Sequence, residues 1–366
     1  MRTAFSILAP ITLATVFLVI LAGGIVRTTG SGMGCPDWPK CFGQYIPPTD
    51  VSQLPADYKT RFAVQGKEIA DFDAFKTWIE YINRLLGALL GVFVLAQLVV
   101  AFRSRDSLTT TLCFTQLVVT GFVGWLGSVV VATDLQPVKV TIHMLTAFLI
   151  VALSVGIVYR VFLRLRQERE SEERLNYQQH RVYVPRAIVF VLVIALTTTI
   201  AQVVMGTQVR EHVDELAKTG MARELWIDNL PSIFKVHRSF SILVLLLNGY
   251  VVYVALTALR PDKMLYRSSL VLAVLVGSEI MTGIILAYLG VPKAAQPIHL
   301  VLASGVFAVQ FYMLIAVRVS PELPPTQELF TEAFLAQTQA ANVAMNRNGN
   351  ARTADKRGGK DEPVNS

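Results

Sequence analysis

The sequence predicts an all-α polytopic membrane protein, with eight transmembrane helices forming two pseudosymmetric four-helix bundles. Three observations carry that expectation. Of 366 residues, 53% are hydrophobic and only 16% charged, against about 25% charged in an ordinary soluble domain. Eight stretches, 6–26, 79–102, 109–132, 140–163, 187–207, 234–258, 268–290 and 297–318, are mostly apolar and reach the roughly 20 residues that a helix needs to cross a hydrocarbon layer. Residues of the same chemistry recur at matching places in the first four and last four stretches. None of the eight sustains period-2 alternation, so they read as helices rather than barrel strands. The composition excludes a disordered chain, a disulfide-stapled secreted domain and an ordinary cytosolic enzyme. The net charge of +7 is read as topology and not as a nucleic-acid footprint; the surrounding partner is membrane lipid.

Eight spans put both termini on one side, and Lys and Arg in the loops decide which. Arg103 and Arg105 follow the second span, seven arginines from Arg160 to Arg186 follow the fourth, and Arg260, Lys263 and Arg267 follow the sixth. The short loops of the other face hold Lys139, Lys293 and a few more around 208–233. The termini and the arginine-rich loop are therefore expected in the cytoplasm. The outer loop 27–78 carries six basic residues, but long loops cross largely regardless of charge. The first span starts beside Met1 with Arg2 as its only positive flank and without an Arg- and Ser-rich leader, and it runs past signal-peptide length. A multi-pass protein of a bacterial inner membrane is the expectation. The organisation that follows is an N-terminal half 1–163 containing the outer loop, a basic loop 164–186, a C-terminal half 187–318, and a disordered cytoplasmic tail 319–366 with a short helix near 327–344.

The repeat is carried by polar residues. Asn83-Arg84 opens the second span and His237-Arg238 the sixth; His143 opens the fourth and His299 the eighth. The separations are 60 residues from Asn83 to His143 and 62 from His237 to His299. Val26-Arg27 ends the first span as Val209-Arg210 ends the fifth, and Thr120-Gly121 is paired with Thr282-Gly283. All four opening positions fall at one shallow depth on the outer side, which suggests two sites, one per half, built from facing helices.

An ionisable residue within a span is costly and faces the bundle interior. One histidine there is as readily a cap or an interhelical hydrogen bond as a ligand; three at equivalent places of a repeat favour ligation. His237 with His299 fits bis-imidazole ligation of a haem iron. Zinc, the competing metal, wants three or four ligands, and no cluster supplies the rest. Arg238 and Arg84 are candidates to pair with propionates, since arginine suits planar carboxylates; the alternative is an arginine snorkelling to the interface. His180 and His212 are read as surface residues in loops.

The first half differs at two positions. Asn83 is a poor haem ligand and leaves His143 as the strong one, an arrangement suited to a bound substrate or exchangeable haem. Glu80, one turn before Asn83 and four residues before Arg84, shares their helix face, whereas its counterpart is Phe234. A carboxylate beside a haem takes protons or stabilises developing positive charge; the bland reading is a Glu80–Arg84 helix pair. In the outer loop, GlySerGlyMetGlyCysProAspTrpProLysCys places Cys35 and Cys41 on the oxidising side, where a disulfide is plausible, either as a structural staple or as a redox pair. Cys113 reads as a small buried apolar residue.

At these residues the chain resembles the haem A synthase family of bacteria and mitochondria. The resemblance covers about residues 6–318 and rests on ValArgThrThrGlySerGlyMetGlyCysProAspTrpPro after the first span, GluTyrIleAsnArg at the second, and one histidine opening each of spans four, six and eight. It implies a haem b cofactor on His237 and His299. It also implies a substrate haem O site in the N-terminal half, with His143 as ligand, Asn83 and Arg84 in the pocket and Glu80 as the reactive carboxylate. The implied reaction oxidises a ring methyl of haem O to the formyl group of haem A. The implied partners are haem O synthase as donor, terminal oxidase assembly factors and an electron acceptor. Many members carry a second histidine where Asn83 stands, so the substrate haem is held by His143 alone or activity is lowered. Two other classes remain beside this one: a di-haem b-type electron-transfer cytochrome and a non-catalytic haem O carrier.

Overall fold

The computed structural model describes residues 2–104, 106–172, 183–184, 186–258 and 263–319. In chain order its helices are α1 (Arg2–Thr28), a single turn α2 (Tyr58–Arg61), α3 (Ala74–Arg103), α4 (Ser107–Ala132), α5 (Pro137–Glu172), α6 (Arg186–Lys218), α7 (Ser232–Ala258), α8 (Lys263–Tyr288) and α9 (Ala295–Ala316). All except α2 are long and apolar enough to cross a membrane. In lipid no water satisfies the backbone, so a chain of this hydropathy closes its hydrogen bonds within each span. The protein is all-α and multi-pass.

The apolar stretches match these helices, with two extensions. α5 continues to Glu172 and α6 to Lys218. Hydropathy sees only the bilayer section, whereas ArgLeuArgGlnGluArgGlu beyond the fourth stretch and GluHisValAspGluLeuAlaLys beyond the fifth contain good helix formers. His212 therefore lies on α6 rather than in a loop, and its Nδ1 pairs with Glu215 at 3.0 Å. Arg105, His180, Arg260, most of the basic loop between 173 and 185, and the expected tail beyond Val319 with its helix near 327–344 lie outside the described residues.

Residues up to Arg318 form one compact unit. Within it α1 packs on α3 and α5, α3 on α4, and α4 on α5; likewise α6 packs on α7 and α9, α7 on α8, and α8 on α9. Each set of four thus closes into a ring. The rings meet where α9 lies against α1 and α5, and α5 touches α6. Apolar side chains fill this seam: Val16, Leu90, Phe148, Val151 and Phe307 share one buried cluster, with Phe148 and Phe307 edge-to-face at 5.0 Å.

The end of the first ring remote from the histidines is tied by charge. Asp106, just before α4, accepts from Thr109 and pairs with Arg160 at 3.2 Å and Arg164 at 2.8 Å. Partial burial opposes its ionisation, but the Thr109 hydroxyl and the two guanidiniums outweigh burial and hold its carboxyl below the usual range. At the histidine end, Asp73 caps α3 by accepting from the Lys76 N–H at 3.1 Å.

Candidate functional site

The outer loop is latched onto α3 by the residues that the sequence singled out. Gly34 lies so close to the helix that a Cβ there would stand 2.6 Å from the Lys76 carbonyl oxygen; only glycine allows that approach. Thr77 Oγ1 donates to the Gly34 carbonyl at 2.9 Å. Cys35 and Cys41 are bonded as a disulfide, both fully buried. Within the loop, the Asp37 carboxylate accepts from the Phe42 and Gly43 N–H groups at 2.6 and 2.8 Å. The string of small, acidic and cysteine residues is therefore explained locally, as a tight loop pressed on a helix.

Glu80 and Arg84 form the latch itself. Glu80 is 4% exposed. Its Oε2 accepts from the Cys35 N–H at 2.8 Å, and its Oε1 pairs with Arg84 Nη2 at 2.5 Å. Arg84 also donates to the carbonyls of Cys35 at 2.7 Å, Asp37 at 2.6 Å and Lys40 at 3.0 Å. The guanidinium is thus directed at the disulfide loop, and the helix pair expected from the i,i+4 spacing is present. A carboxylate has about four lone-pair sites, so Glu80 keeps acceptor capacity beyond these two contacts. Trp38, in the same loop, is 53% exposed. A disulfide enclosing so few residues constrains the unfolded chain by about 2 kcal/mol. Mass spectrometry of freshly isolated, unreduced protein should show Cys35 linked to Cys41, and two free thiols there would count against the bond.

The histidines share one setting. His143 on α5 has Cε1 3.5 Å from where a Cβ of Gly127 on α4 would lie; for His237 on α7 the partner is Gly206 on α6, at 3.2 Å, and for His299 on α9 it is Gly283 on α8, at 3.5 Å. Each imidazole is seated against a glycine of the helix before its own. The geometry corrects one repeat pairing: Gly283 corresponds to Gly127, not Gly121, because the two glycines occupy the same place relative to their histidines. Gly23 precedes Arg27 by four residues as Gly206 precedes Arg210, yet nothing lies within 4 Å of its Cβ position. Asn83 is too short to reach where His237 reaches. Its buried Oδ1 has no hydrogen-bond partner, nor does the buried Nδ1 of His143 or of His237. Arg238 stacks over Phe234 at 5.9 Å and, with Arg223 and Tyr288, lines a cleft of about 500 Å³ at this end of α7 and α8. Among the described residues no three His, Cys, Asp or Glu side chains cluster as a metal site.

Two carboxylates escaped the sequence reading. Asp214 on α6 bridges Arg27 at 3.2 Å and Arg210 at 2.6 Å, joining the ends of α1 and α6; its i,i+4 spacing from Arg210 was the available signal. Glu279 on α8 lies 3.2 Å from His299 Nδ1; an acidic residue deep in an apolar span was the signal there.

A model of cytochrome oxidase assembly proteins, COX15-CtaA, matches residues 6–311. The chain belongs to this family. The COX15-CtaA chain is 30% identical over 222 residues to a protein of Shewanella oneidensis named Heme A synthase, covering 60% of this chain and 62% of that one. It is 24% identical over 326 residues to a Heme A synthase of Ehrlichia canis, covering 83% and 90%. With a Heme A synthase of Methylorubrum extorquens strain PA1 it shares 32% identity over 154 residues, covering 37% and 40%. The matched part thus spans under two thirds of the Shewanella relative and most of the Ehrlichia one.

Proposed function

We propose that the protein is a haem A synthase, an oxidoreductase that converts one ring methyl of haem O to the formyl group of haem A for terminal oxidase assembly. The observation that carries this reading is the set of three histidines, each opening its span and seated against a glycine, with Asn83 as the single break. The two rings are the two halves of a duplication. Residues 1–163 handle substrate and 187–318 hold cofactor, in a bacterial inner membrane with both termini cytoplasmic.

His237 and His299 fit a resident haem b. Both rings rest against a glycine of the preceding helix. Haem b supplies one-electron transfer when bound. Arg238, beside His237, is the propionate partner in this half. His143 ligates the haem O iron. Asn83, which stands where the other half has His237 and whose Oδ1 is buried without a partner, would line the pocket without supplying an imidazole to that iron. Glu80 presents a fixed anion at the edge of that site. Methyl oxidation builds positive character on the carbon beside the macrocycle, and a preorganised carboxylate stabilises it without reorganising. Arg84 has a different task from the propionate partner expected of it: it orients Glu80 and holds the disulfide loop in place. Haem O synthase is the proposed donor; going from methyl to formyl removes four electrons from the carbon, taken up by an electron acceptor, and adds one oxygen atom, supplied from water or dioxygen.

Pigment extraction tests the reading. Protein purified from cells co-expressing haem O synthase should yield formyl haem or its hydroxymethyl precursor. Without the synthase it should yield haem b alone. Unmodified haem in both preparations would favour the electron-transfer or carrier classes.

A further inference from the structure

His299 differs from the other two histidines in what stands behind it. Its Nδ1 lies 2.9 Å from Thr282 Oγ1 and 3.2 Å from Glu279 Oε1. The Thr282 hydroxyl has one proton to donate, and the carbonyls of Ser278 and Glu279 lie 3.0 and 2.9 Å from it. With that proton directed at the backbone, the Thr282 oxygen faces His299 as an acceptor, as does the Glu279 carboxyl. Both neighbours call for a proton on Nδ1 and leave Nε2 as the lone-pair nitrogen.

Nothing equivalent exists in the first half. In the register set by Gly127 and Gly283, the places of Glu279 and Thr282 are taken by Val123 and Leu126, and His143 Nδ1 is buried without a partner. Glu279 is also the one acidic residue between Lys263 and Tyr288, and its Oε2 is buried and unpartnered. A carboxyl group in such a place is expensive, and helix packing alone gives it no compensating bond.

We propose that Glu279 is a positioning residue for His299. Through Nδ1 it fixes the tautomer and raises the electron donation of Nε2 to an iron held there, the effect a carboxylate has behind a metal-bound histidine. The α7–α9 site is thereby the firmly held, lower-potential one. The His143 site, without this support, is the exchangeable one. The proposal rests on the ligand assignment above.

The test uses the full chain purified with its haem, comparing wild type, His299→Ala, Glu279→Gln and Glu279→Leu by electron paramagnetic resonance and redox titration. Glu279→Gln keeps an acceptor for Nδ1–H but not the charge. It should stay low-spin with its midpoint potential shifted upward, a tenfold change in the reduction equilibrium reading as about 59 mV for one electron. Glu279→Leu should shift the potential further and add a high-spin signal. If the low-spin haem disappears in His299→Ala while both Glu279 variants match wild type in potential and g values, the role of Glu279 is overturned and the ligand assignment stands. If the low-spin haem survives His299→Ala, the ligand assignment falls and this proposal with it.

Discussion

Glu80→Gln should reduce formyl-haem production by 100-fold or more while leaving the low-spin haem of the other half in place. Loss of a preorganised electrostatic contact at a reacting centre costs about that much. The geometry makes this variant more than a simple charge deletion. Both Glu80 oxygens accept, one from the Cys35 N–H and one from Arg84. Glutamine offers one acceptor and one donor, so its amide must face either N–H group donor to donor. An unpaired buried donor costs about 1–3 kcal/mol, and the loop loosens as well as the charge being lost. Arg84→Lys separates the two effects. Lysine keeps a cation beside Glu80 but replaces the planar fork that spans the carbonyls of Cys35, Asp37 and Lys40. If Glu80 is catalytic, Arg84→Lys should retain far more activity than Glu80→Gln. Both variants should leave Cys41 or Cys35 more open to reduction, read by thiol labelling with limiting reductant. Equal activity losses in the two variants would reduce Glu80 to an anchor of the loop.

The sequence showed most of the frame because lipid leaves few options: an apolar run of about 20 residues has one way to satisfy its backbone. It understated α5 and α6, whose polar continuations carry no hydropathic signal. Within the site, the histidines were legible because polar residues at repeated places in apolar spans are conspicuous, and Glu80 because it lies one turn before Asn83 on the same helix face. The partner of Arg84 was half legible. Its pairing with Glu80 follows from i,i+4 spacing, but its three bonds to the loop depend on how the chain between Gly34 and Cys41 folds back, which no periodicity encodes. The glycines facing the histidines were hidden for a related reason. A glycine in a span reads as a packing residue until the neighbouring helix is placed, and Thr120-Gly121 was as good a match to Thr282-Gly283 by letters as Gly127 is by position. Glu279 needed no structure to be noticed. It stood alone in its span, but it has no counterpart in the first half, and a search for repeats passes over what is not repeated.

Replacing His237 or His299 by Ala should each remove the low-spin b-type spectrum completely, the largest effect expected of any single substitution here. Low-spin ligation by two imidazoles needs both donors, and no other His, Cys or carboxylate cluster among the described residues offers a substitute. His143→Ala supplies the contrast. It should leave that spectrum intact and abolish formyl production, because its imidazole sits on α5 against Gly127 in the other ring. Misfolding is separated from ligand loss by adding free imidazole. Ala leaves a gap beside Gly206 or Gly283 shaped by the missing ring, and imidazole entering that gap should restore low-spin absorbance in a correctly folded variant. Retention of an unchanged b-type spectrum by both single variants would move the haem elsewhere. A spectrum lost only in His143→Ala would reverse the roles of the two rings, making the half with Glu80 the cofactor site and the half with Glu279 the place where substrate binds.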